Sequence, residues 1–114
     1  MPRTYLLCDL KDDAAAIAAY REYHAPGNTW PAVTESIRAA GITAMEIFLA
    51  GNRLLMVMDT DATYDAAAKA AADAANPDVQ RWEQLMDTFQ QRLPFAAREQ
   101  KWVPMQRIFD LNAD

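Results

Sequence analysis

Hydrophobic positions along the chain fall into short β-compatible runs and longer stretches with helical spacing. Residues 3–10 form the first apolar run, and residues 42–49 and 53–59 form two more, joined by an Ala-Gly-Asn tripeptide. Gly-Asn between two such runs is a recognised hairpin signal. We therefore predict a first strand over 3–10 and an antiparallel hairpin over 42–59.

A first helix is predicted directly after the first strand. Asp12 or Asp13 supplies its N-cap, and an alanine-rich stretch of good helix propensity follows. The helix is expected to end near Ala25, because a proline comes next and disfavours helical backbone in the residue before it. Tyr20 and His24 are four residues apart, which places them on one face of this helix.

A second helix is predicted to begin at Trp30-Pro31, because proline is well tolerated in the first turn of a helix. Asn28 or Thr29 is the expected N-cap. Gly41 supplies a C-terminal stop signal.

The second half of the chain predicts two more helices and a last strand. Residues 62–75 are dominated by alanine, and residues 77–92 carry apolar side chains at the spacing of a core-facing stripe. Residues 102–111 are interpreted as a final strand interrupted by Pro104, and a proline there fits a sheet edge or a bulge better than a sheet centre.

The resulting order, β-αα-β-β-αα-β, predicts an α+β fold of the ferredoxin-like βαββαβ plan in one domain over 1–114. Helices would cover one face of a four-stranded antiparallel sheet and leave the other face bare. We expect Met45, Ile47, Met56 and Met58 to lie on that bare face. Two copies packed sheet against sheet, as in a dimeric α/β barrel, would cover them, so a homodimer is expected.

Composition and charge narrow the choice of partner. The net charge is −5 and the basic residues are scattered, which argues against nucleic acid or an anionic membrane as a partner. The longest apolar runs are far too short to span a bilayer, and nothing resembles a signal peptide. One cysteine, Cys8, permits no internal disulfide and fits a cytoplasmic location. A small neutral ligand is the remaining expectation.

His24, the only histidine, is the first candidate for chemistry. An imidazole changes charge near neutral pH, and Tyr20 one turn earlier could orient a hydroxyl group. A surface histidine at a helix C-terminus, favoured by the helix dipole, is an equally ordinary interpretation. Trp30 and Trp82 could stack on the apolar C–H face of a sugar or could simply pack in the core.

Other kinds of site receive less support. Glu46 alternates with Met45 and Ile47, so it could point toward the helices and act as a second acid–base group. A transition-metal site is not expected with a single histidine, and a hard cation at Asp9, Asp12 and Asp13 fits less well than a helix cap. No glycine-rich nucleotide motif occurs, so no cofactor is expected.

Several short motifs in a fixed order resemble the L-rhamnose mutarotase family. They are Tyr20-Arg-Glu-Tyr-His24, Trp30-Pro31, Met45-Glu-Ile-Phe-Leu49, Gly51-Asn-Arg53-Leu-Leu and Val79-Gln-Arg-Trp82. The resemblance spans nearly the whole chain. It implies a dimeric ferredoxin-like enzyme that interconverts the α and β anomers of a 6-deoxy-L-hexose.

The resemblance also implies roles for individual residues. His24 corresponds to the family's proton donor, and Tyr20 and Trp82 correspond to substrate-binding residues. Met45 replaces a substrate-binding tyrosine of the family, and Glu83 replaces its second tryptophan. These departures lie among the sugar contacts, so they leave L-fucose and L-rhamnose open as substrates and allow the L-fucose branch of the family.

Two other functions remain open from the sequence. A cofactor-free monooxygenase or isomerase acting on an aromatic or lactone substrate would use the same fold, since fold does not fix function. A non-catalytic sugar-binding module would bind a sugar without accelerating anomer exchange.

Overall fold

The computed structural model describes residues 2–113, which form five strands and four helices in that range. The strands are β1 (Arg3–Leu10), β2 (Ile42–Ala50), β3 (Arg53–Thr60), β4 (Gln90–Gln91) and β5 (Val103–Pro104). The helices are α1 (Ala14–Tyr23), α2 (Pro31–Ala39), α3 (Ala66–Ala74) and α4 (Pro77–Asp87). The first strand, the hairpin and all four helices were predicted from the pattern of the chain.

Asp13, one of the two residues predicted to cap α1, is its N-cap. Its carboxylate accepts a hydrogen bond of 3.0 Å from the backbone N–H of Ala16, which satisfies a donor that has no partner within the helix. At the other end, His24 is the C-cap, and its backbone N–H donates back to Arg21. The end of α1 therefore fixes the backbone position of His24.

The predicted caps of α2 were wrong. Trp30 is the N-cap and makes no side-chain capping hydrogen bond. Asn28 and Thr29 instead donate from their side chains to the last carbonyls of α1, at Glu22 (2.9 Å) and Tyr23 (3.3 Å). Because those side chains close the end of α1, they are not free to begin α2.

The third and fourth helices are shorter than predicted. Asp61 accepts hydrogen bonds from the backbone and hydroxyl of Thr63 and forms a turn, so α3 begins only after its cap at Asp65. At the far end of α4 the chain leaves the helix at Asp87, and β4 then pairs with the end of β1. Sheet pairing thus replaces the last predicted helical turn.

The sheet is antiparallel with the order β2-β3-β1-β4, the order of a ferredoxin-like fold, and β5 also pairs with β1. The predicted last strand, 102–111, is correct only for Val103–Pro104. Pro104 lies opposite Leu6 at the sheet edge, and the N–H of Met105 donates to Tyr5 before the chain leaves the sheet. Proline has no N–H, which limits it to such an edge.

The prediction of which sheet face the helices cover was wrong. Met45, Ile47, Met56 and Met58 lie on the helix-covered face, where they line a cavity, so they need no second copy to cover them. Glu46 is exposed and alternates with them, which places it on the opposite face. Alternation separates the two sets of side chains, but it does not say which set the helices cover.

The core joins the sheet to α1, α2 and α4. Its buried members are Leu10, Tyr20, Val33, Leu54, Trp82 and Met86. Helix α3 has no buried residue, and its alanines are exposed and do not pack into the core. In the range 2–113 no helix has the length and apolar character that crossing a bilayer requires.

Candidate active site

A cavity of about 620 Å³ lies between the covered sheet face and the helices. This volume is in the ordinary range for small-molecule sites. Five of the six residues predicted for a site border it: Tyr20, His24, Met45, Trp82 and Glu83. They come from α1 and its C-cap, β2 and α4, so only the folded chain brings them together. The sixth, Trp30, does not border the cavity.

The His24 imidazole is held in one orientation. Its Nδ1 lies 2.7 Å from the backbone carbonyl oxygen of Tyr20, and its ring stacks on the Tyr20 ring with centroids 4.2 Å apart. The Trp82 ring meets it edge-on at 5.5 Å. Because a carbonyl oxygen can only accept, Nδ1 carries the proton in this arrangement. In a neutral imidazole, Nε2 is then the atom with the free lone pair.

The protein environment favours the neutral form of His24. Burial lowers its pKa below the usual value near 6.5, and the hydrogen bond to the Tyr20 carbonyl opposes that effect only in part. A helix C-terminus alone would favour the cation, which was the ordinary interpretation of this residue. In the folded chain, His24 is a half-buried neutral imidazole instead.

Tyr20, whose ring stacks on that imidazole, carries a hydroxyl group. It is only 4% exposed, and burial raises the pKa of its hydroxyl, while a side-chain hydrogen bond from Gln90 acts in the opposite direction. The hydroxyl therefore stays protonated at neutral pH. It can donate a hydrogen bond to a ligand in the cavity.

The two tryptophans have different positions. Trp82 is buried and borders the cavity, and its ring contacts His24, Tyr23 and Trp30 in edge-to-face geometry. Trp30 packs against Trp82 with centroids 5.2 Å apart, behind the cavity wall. Its predicted direct contact with substrate therefore lacks a geometric basis, because α2 starts there and turns the ring into the core.

Glu83 is held by a lysine that sequence reasoning missed. The Lys101 ammonium lies 2.7 Å from a Glu83 carboxylate oxygen and 2.8 Å from Asp87. Burial lowers the pKa of Lys101, but the hydrogen bonds to Asp87 and Glu83 outweigh burial and raise it overall. The ion pairs attach the chain around Trp102 to α4, and Trp102 borders the cavity beside Glu83.

Three residues at the cavity or its rim, Gln90, Lys101 and Trp102, were not predicted as site residues. Gln90 follows a helix end, Lys101 lies in a polar loop, and Trp102 is the first residue of the predicted last strand. Only long-range pairing to β1 and α4 places them here. No spacing in the sequence signals them.

The remaining candidates lie away from the cavity or are otherwise engaged. Asp9 is paired with Arg53 at 2.8 Å, and within residues 2–113 no three His, Cys, Asp or Glu side chains meet as a metal site would require. Burial raises the pKa of the Cys8 thiol to about 11, so it is not a nucleophile at neutral pH. Glu46 is on the outer face and cannot act in the cavity.

The site combines a neutral imidazole, a buried hydroxyl donor and aromatic walls. It presents one group able to take and return a proton near neutral pH, beside groups that bind hydroxyls and apolar ring faces. Such a set suits proton transfer on a small, neutral, hydroxylated ring.

Comparisons with known proteins identify close relatives. The family model for L-rhamnose mutarotase matches residues 3–111. An L-fucose mutarotase from Xanthomonas campestris pv. campestris is 48% identical over 112 residues, covering 98% of this chain and 90% of the relative.

Two solved structures share the fold. A crystal structure of an L-rhamnose mutarotase from Formosa agariphila superposes with a TM-score of 0.68 at 20% identity, covering 97% of this chain and 99% of that one. A tetracenomycin F2 cyclase from Streptomyces glaucescens superposes with a TM-score of 0.58 at 15% identity, covering both chains completely. At these identities the two structures support the fold alone.

Proposed function

Because the chain belongs to the L-rhamnose mutarotase family, we propose that it interconverts the α and β anomers of a 6-deoxy-L-hexose, with L-fucose as its preferred sugar. The chain is a sugar mutarotase, an isomerase. The preference rests on the 48% identity to an L-fucose mutarotase over nearly the full length. Because the matching family model and the 48% identical relative are both mutarotases, the monooxygenase-like alternative and the non-catalytic alternative are not favoured.

Proton transfer in this reaction is assigned to His24. The carbonyl of Tyr20 holds Nδ1–H, so Nε2 is the atom left to react. Nε2 takes the proton of the C1 hydroxyl, and the electron pair left on O1 forms the carbonyl of the open-chain aldehyde. The C1–ring-oxygen bond breaks, and its electron pair moves to the ring oxygen. The imidazolium then donates that proton to the departing ring oxygen. Rotation about C1–C2 and the reverse steps give the other anomer.

This sequence of steps includes the proton-donor role that the family resemblance implies for His24. It also supplies the matching base, because the resting imidazole is neutral and must accept a proton before it can donate one. General acid–base catalysis of this kind contributes about 10²–10⁴-fold. That suits a reaction already possible in water.

The other cavity residues bind and orient the sugar in this proposal. The Tyr20 hydroxyl donates to a sugar hydroxyl, and Trp82 packs against the C–H face of the ring. Met45 and Glu83 occupy the positions where the rhamnose pattern has a tyrosine and a tryptophan. A flexible thioether and a carboxylate give that wall a different shape and polarity, so these positions are assigned the choice between L-fucose and L-rhamnose.

Saturation-transfer NMR with a panel of aldoses tests the proposal. We expect the protein to accelerate anomer exchange of L-fucose more than that of L-rhamnose, and to leave common D-aldoses near the uncatalysed rate. Equal or greater acceleration of L-rhamnose would contradict the preference for L-fucose. Acceleration of none of these sugars would contradict the mutarotase assignment to 6-deoxy-L-hexoses.

A second copy of this chain is inferred to cover the outer sheet face. Tyr5 and Phe48 are 40% and 52% exposed there, with half-buried Leu7, Leu55 and Val57 between them. Arg3–Asp59 and Arg53–Asp9 ion pairs border this outer apolar patch at its two ends. Glu46 lies on the same face, on the edge strand β2. An exposed apolar patch rimmed by polar residues is a common mark of an interface, and two-fold pairing of identical faces is the commonest assembly.

Sedimentation velocity tests the homodimer. We expect the wild type to sediment as a dimer and Phe48→Glu to sediment as a monomer, because a charge in place of the exposed Phe48 ring opposes burial of the patch. Ala18→Glu, on the exposed side of α1, is the control and should remain dimeric. A monomeric wild type would contradict the inference.

The lone, buried Cys8 also supports the proposed cytoplasmic location.

A further inference from the structure

Gln90 has a buried polar atom without a partner. Among the side chains of residues 2–113, two buried oxygens lack a hydrogen bond: Asp73 Oδ1 and Gln90 Oε1. Asp73 already accepts from Lys69 through its other oxygen, at 2.6 Å. Gln90 is only 7% exposed, so bulk water does not satisfy its oxygen. A buried acceptor without a partner is costly, so such atoms usually meet a protein group, a water or a ligand.

The sheet register directs this side chain into the cavity. Gln90 lies on β4 directly opposite Leu10 of β1, and residues directly opposite in an antiparallel pair share a face. Leu10 is fully buried under the helices, and Gln90 borders the cavity with Tyr20 and His24. Its neighbour Gln91 lies opposite Asp9 and is exposed.

The Gln90 amide and the Tyr20 hydroxyl border the same cavity. Oε1 is the amide atom that is buried without a hydrogen-bond partner, so it is the acceptor available to a ligand. The protonated Tyr20 hydroxyl can donate, so the pair presents one donor and one acceptor.

We propose that Gln90 is a sugar-binding residue whose Oε1 accepts a hydrogen bond from one ring hydroxyl while Tyr20 donates to a neighbouring hydroxyl. The ligand class is a vicinal diol on a pyranose. This inference rests on the proposed function, because it assigns a specificity contact within the same cavity. A buried acceptor such as Gln90 Oε1 discriminates against a sugar that lacks the matching hydroxyl, because the oxygen then stays unpaired in the complex.

The test measures binding of L-fucose and its 2-, 3- and 4-deoxy analogues to the wild type and to Gln90→Met by calorimetry. Methionine keeps the length of the side chain and removes the amide. We expect about 2- to 12-fold weaker binding of L-fucose to Gln90→Met. One deoxy analogue should bind both proteins equally, because each change removes the same hydrogen bond. Gln91→Met, on the opposite face, should bind every sugar as the wild type does.

Three outcomes would overturn the assignment of Gln90. Binding of L-fucose to Gln90→Met as tight as to the wild type would mean that an ordered water, and not the sugar, occupies Oε1. An equal loss of affinity for L-fucose and for every deoxy analogue would indicate a general structural effect of the substitution. If Gln90→Met does not fold, Gln90→Glu is the substitute, because it retains an acceptor oxygen and the shape of the side chain. It should still bind one deoxy analogue more weakly than L-fucose. If it binds all the deoxy analogues as tightly as L-fucose, the assignment is overturned.

The proposed function fails separately from this inference. If the wild type binds L-fucose with the expected coupling to Gln90 yet does not accelerate anomer exchange, the mutarotase proposal is wrong and the binding contact stands. If exchange is accelerated but the coupling is missing, only the assignment of Gln90 is lost.

Discussion

The pH dependence of anomer exchange tests which proton form of His24 reacts. The cation has no lone pair on Nε2, so it cannot take the proton of the C1 hydroxyl. Because burial lowers the pKa of His24 below about 6.5, less than about a tenth of the protein carries the cation near pH 7.5. We therefore expect kcat/KM for L-fucose to be level above about pH 7.5.

Activity should fall on the acid side. Below the lowered pKa of His24, each further pH unit removes about tenfold in kcat/KM, because the neutral fraction falls tenfold. The pKa of Tyr20 is raised, so its ionisation adds no further change near neutral pH. The midpoint of the acid limb should lie below the value of an exposed histidine.

The assay is saturation-transfer NMR with a protein-free blank at every pH, since acid and base also catalyse mutarotation in water. Far-UV circular dichroism at each pH confirms that the fold persists. The residual exchange rate of His24→Gln, after the blank is subtracted, should show no acid limb. If kcat/KM of the wild type rises as the pH falls toward 5.5, the cation is the reacting form, and the assignment of Nε2 as the first acceptor is refuted.

Two pairs of variants test the fold around the site by urea unfolding and sugar binding. Gly41→Ala should lose more than about 2 kcal/mol, because φ is +92° there and a Cβ would meet Asp61 Oδ1 at 2.5 Å. Gly27→Ala, at φ +84° in open space, should lose about 1 kcal/mol, and equal losses would contradict the steric argument. Lys101→Met should lose about 1–3 kcal/mol and bind L-fucose more weakly, because its ion pairs hold the cavity wall. The exposed Lys11→Met should change stability by less than about 0.5 kcal/mol, and a loss equal to that of Lys101→Met would refute the special role of Lys101.

Local chemistry explains which parts of the fold could be predicted. The hairpin at 42–59 depends on a turn of adjacent residues, and the cap at Asp13 depends on a side chain three residues from its donor. Such features are encoded within a few positions of the chain. The caps of α2 failed because Asn28 and Thr29 are engaged by the preceding helix, which a local pattern does not reveal.

The covered face of the sheet needed tertiary information. Alternation grouped Met45 with Ile47 and set Glu46 apart, but only packing of the helices shows that the methionine face is the inner one. The final strand failed for a related reason. Pairing with β1 ends after Pro104 and Met105, although the residues beyond are apolar enough to suggest a strand.

The candidate site divides in the same way. His24 and Tyr20 share a helix face, so their spacing and the family resemblance predicted their proximity. Gln90 and Trp102 reach the cavity only through contacts across the fold, and neither belongs to a motif. A residue of that kind is found by its burial and its unpaired atoms, after the chain has folded.

The most direct test of the central claim compares L-fucose anomer exchange catalysed by the wild type and by His24→Gln, at neutral pH and saturating sugar. We expect the wild type to accelerate exchange and the variant to be slower by about 10²–10⁴-fold. The variant should retain the wild-type urea midpoint, because glutamine can still donate to the Tyr20 carbonyl. A folded His24→Gln that exchanges L-fucose as fast as the wild type would contradict the claim that His24 carries the proton.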